Sequence, residues 1–246
     1  MATFVFVHGG WCASWCWDYN VETLKKEGHK VVCLDLPGHG NNHPEVLEHV
    51  NIKDHVDYVK EEISKIDGKV ILAAHSMSGM IISQVAEDIP EKIEKLVYIA
   101  AFMPHEDGQV MNQMIKSDPW TLVGPKTTMV LENGLCTFVP KYARNMGFNT
   151  SSDEVVGFAL SHMQLENPTM WRETVHLTDR YHNVPKYYVH TLKDNCCSYF
   201  AQRMMVHLEP VIKEYYLDSD HCGMLSKADE FNAAMLDIAK DVVIEK

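Results

Sequence analysis

Short apolar runs recur along the chain: Thr3–Val7, Val31–Leu34, Val70–Ala73, Lys95–Ala100, Lys186–Thr191 and Glu214–Leu217. Each has the length and β-branched or aromatic content of a strand buried on both faces. Between them apolar residues fall at helical spacing. Ile52, Val56, Val59, Ile63 and Ile66 share one helical face, with Asn51 placed to cap its start. Phe231, Met235, Ile238 and Val242 make a second face, entered at Ser226 or Lys227. Met80-Ile81-Ile82 through Val85-Ala86 begins a third. Strands alternating with helices predict an α/β fold, a mostly parallel sheet with helices on both faces. The alternation lapses from about residue 104 to 184, where Trp120, Phe138, Phe158, Met163 and Trp171 stand among Gly, Pro and Asn breaks. This stretch reads as a cap inserted between two sheet strands and lying over the active site, within a single domain of residues 1–246.

Composition narrows the class. With 246 residues and 46% hydrophobic content the chain can bury one substantial core. No apolar stretch approaches the length of a membrane span, and Met1-Ala2-Thr3 leads straight into the first strand without a signal peptide. A net charge of −12 argues against nucleic acid and anionic membranes as partners. The seven cysteines are odd in number and lack C-x₂-C pairs, which speaks for reduced thiols in the cytoplasm over disulfides or zinc. His39, His43, His49 and His55 lack the spacing of a metal site. Neither glycine-rich phosphate motif is present, so no nucleotide cofactor is expected, nor any other. A homodimer stays open.

Candidate chemistry begins at Ala74-His75-Ser76-Met77-Ser78-Gly79, between an apolar run and a helical pattern. A serine flanked at two residues either side by small side chains, at a strand-to-helix junction, is the pattern of a nucleophile elbow. Ala74 and Ser78 stand where glycines are usual, so the match is by size. His8-Gly9-Gly10-Trp11 follows the first strand, where a glycine-rich turn can aim backbone N–H groups at developing negative charge. The N–H of Met77, next after the serine, is the second such donor. A serine hydroxyl needs a base oriented by a carboxylate, in the chain order Ser, acid, His. His221 follows the last strand and is the expected base. Asp194, just past the strand Lys186–Thr191, is the expected acid, and Asp107 is its rival.

Together with Asp35-Leu36-Pro37-Gly38-His39-Gly40 and Asp220-His221-Cys222-Gly223-Met224-Leu225-Ser226, these motifs resemble the α/β-hydrolase superfamily. The resemblance is closest to the plant methylesterase and hydroxynitrile lyase family and its bacterial relatives. It covers about residues 3 to 104 and 184 to 243 and is weak between them. It implies a Ser76–His221–Asp194 triad, Gly10 and Met77 as oxyanion donors, and cofactor-free hydrolysis of small carboxylic esters through an acyl-enzyme. The lyase branch typically carries threonine after the first-strand histidine and lysine after the catalytic one. Gly9 and Cys222 stand there instead, favouring the esterase branch. Trp11, Phe102, Trp120 and Cys222 are expected to contact the substrate. Carbon–carbon cleavage on the same triad, and a ligand receptor built on a hydrolase scaffold, are the alternatives.

Overall fold

The computed structural model describes residues 1–242. Six parallel strands form the sheet: β1 (Thr3–Val7), β2 (Lys30–Leu34), β3 (Val70–His75), β4 (Ile93–Ile99), β7 (Lys186–Thr191) and β8 (Lys213–Leu217), in the order β2-β1-β3-β4-β7-β8. Numbers β5 (Thr128–Val130) and β6 (Cys136–Phe138) belong to a separate antiparallel pair. The period-two geometry of a strand divides each run between two cores. Val5, Val7, Leu72 and Tyr98 face one side, against α2 (Ile52–Ser64) and α3 (Ser78–Asp88). Phe4, Phe6, Ile71 and Val97 face the other, against α1 (Asp18–Lys26) and α10 (Ala228–Lys240). Every residue of β3 and β7 is buried, which is why these strands read as unbroken apolar or aromatic runs.

The expected cap of α2 is a capping box. The Asn51 side chain accepts from the Asp54 N–H at 3.1 Å, and the Asp54 carboxylate accepts from the Asn51 N–H at 2.9 Å. The last helix is shorter than its pattern. Lys95 Nζ donates to the carbonyls of Ile238 at 2.8 Å and Asp241 at 2.7 Å, and the backbone turns extended at Asp241. Val242 therefore lies beyond α10, 81% exposed, and does not share the face of Phe231, Met235 and Ile238.

Between β4 and β7 the chain leaves the sheet. It forms α4 (Met111–Ser117), the β5–β6 pair, α5 (Pro140–Gly147), α6 (Asp153–His162), a 3₁₀ turn over Pro168–Arg172 and α7 (Asp179–His182). Two more helices, α8 (Tyr199–Leu208) and α9 (Gly223–Ser226), follow β7 and β8. Among the described residues no helix is long and apolar enough to cross a membrane.

Candidate active site

Val7 of β1 and Ala74 of β3 are paired neighbours, so the loops leaving these strands meet above the sheet. Ser76 lies in the sharp turn from β3 into α3 and holds a left-handed backbone, φ 54°. A non-glycine residue there is strained by 1–3 kcal/mol or thereabouts and must be fixed by its surroundings. They do so through three backbone bonds: the Ser76 N–H donates to Ile99 C=O at 3.2 Å, and its carbonyl accepts from Gly79 at 3.2 Å and Phe102 at 3.0 Å. Small residues are required on both sides. A Cβ on Gly79 would run into the Phe102 carbonyl oxygen, and one on Gly9 would sit 2.6 Å from His75 Nδ1 and 2.9 Å from Ser76 Cβ. Ser78, where glycine is usual, turns its hydroxyl to the His8 carbonyl and so ties elbow to glycine loop.

That loop is pinned on both sides of Gly10, at His8 and at Trp11. His8 is buried, and burial followed by the nearby His39 brings its pKa down to about 3. The neutral ring donates from Nδ1 to Gly9 C=O at 2.8 Å and accepts at Nε2 from the Leu36 N–H at 3.1 Å. Trp11, at φ 60°, donates its N–H to the Glu166 carboxylate at 3.2 Å, and its carbonyl accepts from Gln164 at 2.9 Å. Among the described residues the Gly10 N–H has no acceptor. The Met77 N–H opens α3, one of the first-turn donors that a helix leaves without an internal partner.

The loops after β7 and β8 bring the histidine and the acid together. His221 Nδ1 lies 2.7 Å from Asp194 Oδ2, with both residues buried. The Asp194 carboxylate also accepts from Thr191 Oγ1, Gln202 Nε2 and the N–H groups of Cys196 and Cys197, at 2.8, 3.2, 2.7 and 2.9 Å. A carboxylate so held has one orientation. His75 Nε2 donates to the His221 carbonyl at 2.9 Å, fixing the loop from below. Ser76 and His221 line the same small cavity. No hydrogen bond joins their side chains among the described residues, and contacts of this type often close only around substrate. Asp107 lies elsewhere, exposed and 3.2 Å from His176.

Two cavities of about 20 Å³ each, little more than one water apiece, flank Ser76. One is lined by Trp11, Phe102, Met111, Ile115, Val123 and Trp171; the other includes Cys12, Phe138, Cys196 and Cys222. A larger open hollow of about 1130 Å³ lies at the amino ends of β4 and β7, by Ile93 and Lys186. Ligands of open parallel sheets bind at the carboxyl ends, where Ser76 is. Asp194, Cys196 and His221 bring their ligand atoms within 4.8 Å of one another, as a metal site would. Burial, then Asp194, pushes the Cys196 thiol well above its ordinary pKa, and the carboxylate already has its hydrogen-bond partners, so the trio is suited to hydrogen bonding.

A family model with the description "Alpha/beta hydrolase family" matches residues 4–234. The chain belongs to this family. Methylesterase 7 of Arabidopsis thaliana is 33% identical over 254 residues, 96% of this chain and 95% of the relative. Putative methylesterase 11, chloroplastic, from the same plant is 29% identical, and the chain spans 64% of its length. Polyneuridine aldehyde esterase, a solved structure, superposes with a TM-score of 0.83 at 25% identity over 98% of this chain and 100% of that one. With esterases matching along nearly its whole length, this hydrolase stands among the carboxylic ester hydrolases.

Of the expected substrate contacts, Trp11, Phe102 and Cys222 line the cavities of the hydrolase. Trp120 does not. It is 69% exposed, held by a backbone bond from its N–H to Asp118 Oδ1 at 3.0 Å in the turn after α4. Within residues 104–184 it is Trp171 that reaches the cavity, its ring meeting Trp11 at 5.3 Å. The four spaced histidines divide, His43 and His49 at the surface, His39 and His55 buried beside Glu166. Glu166 carries no motif, and nothing local in the sequence marks it.

Proposed function

We propose that this protein hydrolyses methyl and other small esters of apolar carboxylic acids through Ser76, His221 and Asp194. The observation that carries the reading is the buried 2.7 Å bond between His221 and Asp194 at the cavity that Ser76 lines from a strained turn. In this mechanism Asp194 accepts the Nδ1 proton of His221 in a hydrogen bond, leaving Nε2 free to take the proton from Ser76 Oγ. Oγ attacks the ester carbonyl, and the N–H groups of Gly10 and Met77 receive the oxyanion. The imidazolium gives its proton to the departing alcohol. Water, activated by the same ring, then releases the acid from the acyl-enzyme.

The apolar lining from Met111, Ile115, Val123 and Trp171 suits an uncharged acyl group. Residues 104–184, which supply all four of these side chains, act as the cap of a single domain. The names of the matched methylesterases support a methyl ester as the substrate, with methanol as the leaving group. Ester cleavage is favoured over cyanohydrin cleavage by Cys222. Burial, then Cys12 and Asp220, pushes its thiol well above the ordinary range, so no cation stands there to meet a released anion. Gly9, with no room for a side chain, offers no hydroxyl to a substrate alcohol.

The test is turnover of methyl and p-nitrophenyl esters graded by acyl length, beside mandelonitrile. Ser76→Ala is expected to lose at least about 10⁴-fold in kcat while keeping its fold. Asp194→Asn is expected to lose about 10³ to 10⁴-fold, through the wrong imidazole tautomer, and Asp107→Asn almost nothing. An active Ser76→Ala enzyme would sink the reading, and faster mandelonitrile cleavage would move the protein to the lyases.

A further inference from the structure

Glu166 is a fully buried carboxylate, 155 residues from its backbone partner Trp11, and the catalytic scheme above does not use it. Oε2 accepts the Trp11 N–H at 3.2 Å and lies 3.2 Å from His39 Nε2; Oε1 accepts the Asn167 N–H at 2.8 Å. The same segment binds the other side of Trp11, because Gln164 donates to the Trp11 carbonyl at 2.9 Å. Its side-chain oxygen accepts from Gly40 at 2.7 Å, tying in the His39 loop. Trp11 holds a left-handed backbone without being glycine, and both its peptide groups are clamped from residues 164–166. That peptide follows Gly10, whose N–H is free to face the Ser76 cavity.

We infer that Glu166 is a positioning residue for ester hydrolysis: it holds the Trp11 backbone so that the Gly10 N–H points at the oxyanion, and His39 neutralises it there. This rests on the serine hydrolase mechanism proposed above. Neutralisation is needed because the carboxylate is close to the reacting centre. A Cβ on Gly10 would lie 3.3 Å from both Glu166 Oε2 and Met77 Sδ. A bare anion beside Gly10 would oppose the negative charge of the tetrahedral intermediate. The groups facing His39 are Glu166, His8 at 5.1 Å and His55 at 6.2 Å between ring centres, with Asp35 and the Pro37 carbonyl near. Burial, the largest single effect, opposes a charge on His39, yet the Glu166 carboxylate, the Pro37 carbonyl and Asp35 together raise the pKa above the ordinary histidine value. Burial likewise opposes the Glu166 anion, and His39, His55 and the Trp11 N–H together lower that pKa. His8 and His55 stay neutral, at about 3 and about 4. Each partner thus favours the charged form of the other across 3.2 Å.

Glu166→Gln, His39→Gln and the double variant are compared with the parent in kcat, KM and rate of fluorophosphonate labelling at Ser76. Glu166→Gln should lose about 10- to 100-fold in kcat with KM within about twofold, since an aimed donor acts mainly in the transition state. His39→Gln should lose more, because it leaves the carboxylate uncompensated, and adding Glu166→Gln should restore part of that loss. A purely structural role would make the double variant worse than either. In the parent, kcat should fall on the alkaline side as His39 loses its proton, a limb absent from Glu166→Gln. A parent kcat flat to pH 10 overturns the inference without any variant, as does a double variant no faster than His39→Gln. Failure of the parent to label at Ser76 would instead bring down the mechanism on which it rests.

Discussion

Gly79 is one residue on which the elbow depends. A methyl group there would press on the Phe102 carbonyl, and the Phe102 N–H is bonded to the carbonyl of Ser76 at 3.0 Å, so relief moves Ser76. Gly79→Ala is expected to cost about 3 kcal/mol, roughly 6–12 °C in Tm, and to depress kcat with it. Gly124→Ala, where an added Cβ meets nothing within 4 Å, is the control and should leave both unchanged. Thermal melts and ester turnover on the two variants check this. Ser76 could be found from the sequence because every constraint on it is local: a strand, a small residue, a helix. His221 and Asp194 were recognisable from their places after strands, and the structure brings them within 2.7 Å of each other. Glu166 could not be found this way, since its partners are Trp11 and His39 and no spacing links the three. Trp120 and Trp171 show the same limit from the other side. A tryptophan announces apolar area, but its backbone decides whether that area meets a cavity or water.

At the level of elements, the loop that carries His221 is tied to the turn between α5 and α6. Asp220 Oδ2 accepts from the Thr150 N–H at 3.0 Å, Thr150 Oγ1 at 3.1 Å and Ser151 Oγ at 2.7 Å, and Oδ1 accepts from Ser226 Oγ at 3.0 Å. Asp220 is fully buried, so these donors have no water to replace a lost acceptor. Asp220→Asn puts an amide NH₂ among them and is expected to destabilise by about 2–3 kcal/mol. The expected kinetic signature is a raised KM together with a lower kcat, because the same bonds hold the turn between α5 and α6 and the histidine loop. Urea unfolding and steady-state kinetics measure the two effects. Period-two and period-3.6 patterns located the sheet strands and α2 because burial there follows one repeating geometry. They did not resolve residues 104–184, where helices of four to ten residues and a three-residue strand pair are too short to show a period. Nor did they place Val242, since the stop at Asp241 comes from Lys95, a residue on another element.

For the molecule as a whole, buried histidines set the response to acid. His8 and His55 have folded pKa values brought down to about 3 and about 4, by burial first and then by His39. In the unfolded chain both return to 6.5. As pH falls from 6.5 the unfolded state takes up protons that the folded state refuses, so stability declines down to about pH 4 for His55 and about pH 3 for His8. His39 runs the other way: its raised pKa adds stability below the ordinary histidine range that is lost as pH rises through the raised value. His55→Gln is expected to flatten the pH dependence of unfolding free energy between 6.5 and 4 by up to about 1.4 kcal/mol per pH unit, read from urea titrations at stepped pH. The strand order carries a consequence for how activity arises during folding. From β1 the chain runs outward to β2, crosses back to β3, and reaches β8 only at residue 213. The turn of Ser76, the proposed nucleophile, and its glycine loop precede residue 80, whereas His221, the proposed base, follows β8 at the sheet's far edge. A chain growing from its amino end thus carries the turn of Ser76 before the proposed base, and the proposed triad is complete only once that edge strand has docked.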